Sequence, residues 1–323
     1  MPHQPKGVAL CSLQGKRERQ EDAAFCLLLP SFCCIAVADG MGGFARGAQA
    51  SQLAIEALAR AAPKLSRGAR AEEVLKDATA VANGAILQLK TREQLPAVGT
   101  TLAAAVVQSG TVTVGHAGDS RIYLISEQDV LQLTHDHSLA QELVDTGALG
   151  DPLAARKAVG GVLLRGLGEE DFPGLEVATT TLPENSAAIL LACSDGVHEQ
   201  VTPADLLHYA WGSPSLQAFV DAVTALALSR GSSDNITAAA CEIGSFPRSA
   251  SLASPVVLSP APQRRRKSPL LPVGVAVLVA VALAFAARTC GFSPRFAGQE
   301  AGPAGPLSIP ASHPEQHDGK EAL

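Results

Sequence analysis

Four aspartates in this 323-residue chain stand where an apolar run meets a turn. Asp39 and Gly40 follow "IAVA", and Asp195 and Gly196 follow "AILLACS". Asp22 closes "QGKRERQED" just before a strand-like stretch, and Asp234 and Asn235 precede "ITAAACEI". Taken singly, each is as readily a turn residue or helix N-cap. Brought to one rim, their carboxylates would repel and raise one another's pKa values unless a cation joined them. Hard divalent cations such as Mg²⁺ and Mn²⁺ accept such oxygen ligands. Gly40 permits a tight chain reversal and leaves its carbonyl open to a ligand. Asp39 therefore reads as a metal ligand fixed at the end of a buried strand.

The elements needed to bring these positions together are short strands and a few amphipathic helices. Alternation and β-branched runs predict strands at 8–13, 23–29, 32–39, 101–108, 112–116, 121–125, 176–182, 187–193 and 236–243. Apolar spacing predicts helices at 48–62, 71–90, 138–146 and 215–228. Glu72 and Glu73 favour the start of the second. Strands follow one another with few helical crossovers, so an α+β fold of antiparallel sheets covered by helices fits better than a doubly wound parallel sheet.

Composition bounds the partners. The net charge of −6 and an aromatic content of 4% argue against nucleic acid, which needs a basic footprint or a stacking platform. Seven cysteines without a CxxC pair fit a reducing compartment better than a disulfide framework. The N-terminus lacks an apolar core of signal-peptide length. Past residue 244 the chain becomes rich in Pro and Ser, which reads as a linker over 245–269. Residues 270–287 form eighteen uncharged positions, at the lower end of a membrane-spanning length. Arg264, Arg265, Arg266 and Lys267 precede them. The positive-inside rule then expects a single-pass protein of the cell membrane with residues 1–244 cytoplasmic, and an exported, disordered tail at 288–323.

The motifs "QGKRERQED", "VADGMGG", "VGTTLAAAVV", "VGHAGDSRIYLI", "LTHDHS", "LLACSDGV" and "SSDNITAAA" occur in one order over residues 6–244. In this the chain resembles the metal-dependent protein serine/threonine phosphatases of the type 2C (PPM) family, in their bacterial form. The resemblance implies a four-layer α/β/β/α sandwich with two divalent cations, Mn²⁺ or Mg²⁺, between two central sheets. It implies that Asp39 bridges both, that the Gly40 carbonyl binds one, and that Asp195 and Asp234 are direct ligands. Glu21 and Asp22 would act through metal-bound waters. Paired cations lower the pKa of a bridging water, and the hydroxide attacks phosphorus. Arg17 corresponds to the phosphate-holding arginine, whose fork takes two phosphate oxygens. Asp119 corresponds, with Asp195, to a third and weaker cation site.

The resemblance also implies phosphorylated protein substrates and an opposing bacterial Ser/Thr kinase as partner. Met41 stands where eukaryotic members often carry histidine, so no side chain is assigned as general acid. The segment "ALGDPLAARKAVGGVLLRGLG" corresponds to the mobile flap. Lys157, Ala158 and Gly161 replace its usual His, Pro and Asn, while Arg165 is retained as the flap's substrate-facing candidate. His135 and His137 flank Asp136, but zinc wants three or four ligands and the sequence offers no neighbouring partner. Cys193 and Ser194 lack an activating base nearby in sequence. The expected activity is metal-dependent hydrolysis of phosphoserine and phosphothreonine. The alternative is a catalytically weak pseudophosphatase acting as a membrane scaffold or phosphopeptide sensor.

Overall fold

The strand that carries Asp39, β3 (Phe32–Met41), is an unbroken apolar run because both its faces are covered. Phe32, Cys34, Ala36 and Ala38 pack into one apolar core, and Cys33, Ile35 and Val37 into another. With period two along a strand, a sheet buried on both sides shows no polar alternation. The computed structural model describes residues 4–42, 46–95, 97–182 and 186–248.

Sequence order gives β1 (Pro5–Leu13), β2 (Asp22–Leu29), β3, α1 (Arg46–Ala61), a 3₁₀ turn (Ala62–Arg67) and α2 (Ala71–Glu93). Next come β4 (Gly99–Thr100), β5 (Leu102–Gln108), β6 (Thr111–Ala117), β7 (Arg121–Ile125) and β8 (Val130–Gln132). Then follow α3 (Leu139–Asp145), α4 (Pro152–Val159), β9 (Glu176–Thr181) and β10 (Ala188–Cys193). The last elements are α5 (Asp195–His198), α6 (Pro203–Gly212), α7 (Leu216–Ser229) and β11 (Ile236–Ile243).

One sheet runs β1-β11-β10-β7-β8 and the other β2-β3-β5-β6-β9, with β4 pairing the end of β3. Their ladders are antiparallel. Between the sheets, Ile35, Val37, Ala103 and Ala105 meet Ile122, Leu190, Ala192 and Ala239. Outside, α1 and α2 cover the second sheet and α6 and α7 the first. This is the four-layer α/β/β/α arrangement. Small residues make it close: Ala50, Ala54 and Ala57 of α1 share a core with Ala36 and Ala38 of β3.

The predicted strands and helices all form, with ends displaced by a few residues. β3 runs on through Gly40 and Met41, which pair with Thr100 and Gly99. Three helices absent from the sequence reading also form, α4, α5 and α6. The start of α6 is signalled in the sequence by Thr202 and Asp205, whose side chains cap each other's backbone N–H groups, with Pro203 at the first helical position. Among the described residues no helix is long and apolar enough to cross a membrane. The expected span at 270–287, most of the linker and the tail at 288–323 lie outside the described residues.

The chain stays on the domain after β11. Phe246 is buried in the α6/α7 core with its ring 5.8 Å from Trp211, and Arg248 pairs with Glu242. Phe246→Ala is expected to lower unfolding stability by about 3 kcal/mol, the usual cost of emptying a buried phenyl site. Urea unfolding checks this: the midpoint drops while the denaturant slope is unchanged.

Candidate metal and phosphate site

The carboxylates collect where the two sheets end. Asp39 and Asp22 are cross-strand partners in the β2/β3 ladder, which places Glu21 and Asp22 beside the end of β3. Asp195 follows β10 and Asp234 precedes β11, which are paired neighbours. Asp119 lies in the turn between β6 and β7. Glu21, Asp39, Gly40, Asp119, Asp195 and Asp234 line one cleft of about 620 Å³, together with Arg17. Asp22 sits beneath it, 8% exposed.

Backbone geometry fixes these positions. The Asp39 N–H donates to Thr101 Oγ1 at 2.9 Å, and its carbonyl accepts from Thr101 N–H and Thr100 Oγ1, both at 2.9 Å. The Gly40 N–H donates to the Glu21 carbonyl at 3.1 Å. A Cβ on Gly40 would collide with the Gly47 carbonyl, so only glycine fits. Gly196 is held in the same way against the Asn235 carbonyl.

Asn235, to which the sequence reading gave no role, is the clamp of the site. Its Oδ1 accepts from the Glu21 N–H at 2.8 Å, and its Nδ2 donates to the Gln14 and Arg19 carbonyls, each at 2.8 Å. It thereby pins the 14–21 loop, with Arg17 and Glu21, to the start of β11. The adjacency to Asp234 in "SSDN" was the available signal.

Crowding sets the electrostatics. Burial, followed by the charges of Asp22, Asp195, Asp119 and Asp234, holds the Asp39 carboxyl well above the ordinary range. Burial and then Asp119 push Asp195 up to about 8, with Arg156 opposing. Asp22 rises to about 6 through burial, against hydrogen bonds that include one from Ser194 Oγ at 2.8 Å. Asp22 Oδ1 and Asp195 Oδ1 are buried without a hydrogen-bond partner. Unpaired carboxylate oxygens among mutually repelling acids are the donor set a hard divalent cation requires.

Two arginines already touch the cluster. Arg17, more than half exposed, donates from Nη2 to Asp234 Oδ2 at 2.6 Å. Arg156, on α4, donates to Asp119 and Asp195 at 2.6 Å and to Glu199 at 2.7 Å. The sequence reading missed it. Arg165 is not among the residues lining the cleft; its charge acts on His116, His137 and Glu176.

The weaker constellations resolve into structural contacts. Arg121 grips Asp136 through two nitrogens at 2.7 to 3.1 Å. His137 does have neighbours that the sequence concealed: its ring stacks on His116 at 4.6 Å and its Nε2–H donates to Glu176 at 3.1 Å. Ligand atoms of these three residues lie within 4.8 Å of one another. His116 Nε2 meets the His135 backbone, and both ring nitrogens of His137 are engaged, by Gly118 N–H and Glu176. Burial pushes the Cys193 thiol up to about 12, unsuited to a nucleophile. His198 is held neutral by burial and donates Nε2–H to the Asp119 carbonyl at 2.9 Å.

These shifts have a signed consequence. A carboxyl with raised pKa keeps its proton in the fold after the unfolded chain has lost it, so stability is lost as pH rises between the two values. For Asp195 that window runs from 3.8 to about 8. In chelator, the thermal midpoint is expected to fall from pH 5 to pH 8 through this contribution. A saturating divalent cation flattens the fall, and Asp39→Asn reduces it. Differential scanning calorimetry checks this; the same slope in Asp39→Asn contradicts it.

Comparison with known proteins agrees with this geometry. The Protein phosphatase 2C family profile matches residues 13–237. The serine/threonine phosphatase stp of Listeria welshimeri is 35% identical over 207 residues, covering 63% of this chain and 81% of that protein. The crystal structure of the Mycobacterium tuberculosis serine/threonine phosphatase PstP/Ppp superposes with a TM-score of 0.66 at 30% identity, over 74% of this chain and 99% of that one. The catalytic domain of PstP in complex with two manganese ions superposes with a TM-score of 0.64 at 28% identity, over 74% and 98%. The chain belongs to the protein phosphatase 2C family, as a serine/threonine phosphatase of the bacterial type.

Proposed function

We propose that this chain removes phosphate from phosphoserine and phosphothreonine on proteins with the aid of two divalent cations, Mn²⁺ or Mg²⁺. The observation that carries the reading is the convergence of Asp39, Asp195 and Asp234 on one cleft, with a buried Asp195 oxygen left unpaired. Asp39 and the Gly40 carbonyl, with Asp195 and Asp234, would hold the cations, and Glu21 and Asp22 would orient their waters. When bound, the cations supply Lewis acidity that activates water and offsets phosphate charge.

The residues of the chain do the rest. Arg17 can exchange its single contact with Asp234 for two phosphate oxygens, since a guanidinium fork matches that geometry. Its exposure leaves it free to meet a substrate arriving from solvent. Thr100 and Thr101 hold the Asp39 backbone rigid, and the cleft is wide and polar, as a phosphorylated loop requires. Met41 lines the cleft and has no proton to give, so it does not serve as general acid. The complete carboxylate set weighs against a catalytically weak scaffold.

The proposed setting rests on the sequence. Eighteen uncharged residues at 270–287, preceded by four basic ones, support a single-pass anchor with the catalytic domain cytoplasmic. An anchor of that kind concentrates the enzyme near membrane-bound Ser/Thr kinases, whose phosphoproteins it would reverse.

The test is phosphate release from a phosphothreonine peptide by the purified protein with Mn²⁺, Mg²⁺ or chelator. Turnover is expected with either cation and none in chelator. Asp39→Asn is expected to lower kcat by about a thousandfold or more, the scale of losing a transition-state charge anchor. Arg17→Ala is expected to lower kcat/KM by about a hundredfold, as loss of a charge-assisted phosphate contact does. Cation-independent turnover, or full activity in Asp39→Asn, contradicts the reading.

A further inference from the structure

Arg156 lies between Asp119 and Asp195, the pair that the sequence resemblance assigns to a third and weaker cation. Arg156 leaves α4 with its side chain only 20% exposed and spans two carboxylates that are 5% and 14% exposed. Nη1 donates to Asp119 Oδ2 and Nη2 to Asp195 Oδ2, each at 2.6 Å, while Nε donates to Glu199 Oε1 at 2.7 Å. Each of the three guanidinium nitrogens is thus engaged by an acid. The remaining Asp195 oxygen, Oδ1, stays buried and unpaired. That carboxylate is divided: one oxygen belongs to the flap arginine and one is left for a metal.

The chain is shaped to admit this contact. A Cβ on Gly161 would stand 3.2 Å from Arg156 Nη2 and 3.4 Å from its Cζ, so the glycine lets the backbone close over the guanidinium. Gly160, at φ +70°, turns the chain at the end of α4, and its N–H donates to the Arg156 carbonyl at 2.8 Å.

We propose that Arg156 is this enzyme's built-in cation at the Asp119–Asp195 pair, taking the place of a third metal and fastening the flap to the catalytic carboxylates. This rests on the two-cation reading of the site given above. A permanently charged planar fork satisfies two buried carboxylates at once, which neither lysine nor a neutral side chain can do. Without Arg156, Asp119 at that depth would either hold a proton or recruit a cation from solution, and saturating Mn²⁺ favours the cation. The third position is therefore closed in the native enzyme and opened by removing one side chain.

The test counts metal and reads flap order in the purified full-length protein and its Arg156→Ala variant. Equilibrium dialysis at saturating Mn²⁺ with elemental analysis is expected to give about two ions per wild-type chain and about three per variant chain, the added one weak. With Mn²⁺ bound, hydrogen exchange over residues 152–161 is expected to be about tenfold faster in the variant, as for a segment freed of a charged clasp. Unchanged exchange in β10 and β11 verifies that the variant is folded. Arg156→Lys, which keeps the charge but not the fork, is expected to show the faster flap exchange as well. Three ions on the wild-type chain, or equal counts in both proteins, overturns the proposal while leaving the phosphatase reading intact. No bound Mn²⁺ on the wild type overturns both.

Discussion

The burial of carboxylates that also repel one another is the constraint on which this structure turns. Asp22, Asp39, Asp119 and Asp195 are each pushed away from their ordinary ionisation, with burial the largest cause. No fold gathers such groups without a rigid frame, because each would relax toward water if it could. The frame is the pair of sheets, whose apolar strands end together, and whose ends are locked by glycines that admit no side chain. Asn235 and the Thr100–Thr101 pair complete it from the polar side, spending hydrogen bonds on backbone groups rather than on the acids. The acids are thereby kept in place and partly unpaired.

Positive charge answers that repulsion from two directions. Arg17 approaches from an exposed loop with a single ion pair, a contact of modest worth that a phosphate can displace. Arg156 comes from α4 with Nε, Nη1 and Nη2 each on an acid, which ties the conformation of that helix to the state of the acids. Between them lies the unpaired Asp195 oxygen beside Asp39, where divalent cations would complete the balance.

What was legible in the sequence was what local chemistry marks. An aspartate and glycine at the end of a run such as "AILLACS" mark where a buried strand stops, and four such stations together pointed to one shared site. Strands without crossovers pointed to antiparallel sheets covered by helices, while the pairing of two central sheets came from the family resemblance. Arg156 was illegible because its role is made by contacts 37 and 39 residues away in the chain, across a segment with no periodic signal. Arg165, marked by motif alone, turned out to neighbour the stacked histidines. The His116–His137–Glu176 cluster was hidden for the same reason, since pairing of β6 with β9 sets His116 opposite Glu176. By contrast, α6 could have been read from the reciprocal cap of Thr202 and Asp205.

The most direct test of the central claim is electron paramagnetic resonance of the Mn²⁺-loaded protein. If Asp39 holds two cations together, the spectrum shows an exchange-coupled manganese pair, and Asp39→Asn converts it to uncoupled ions or abolishes binding. A spectrum of isolated Mn²⁺ alone in the wild-type protein, at saturating metal, would contradict the account.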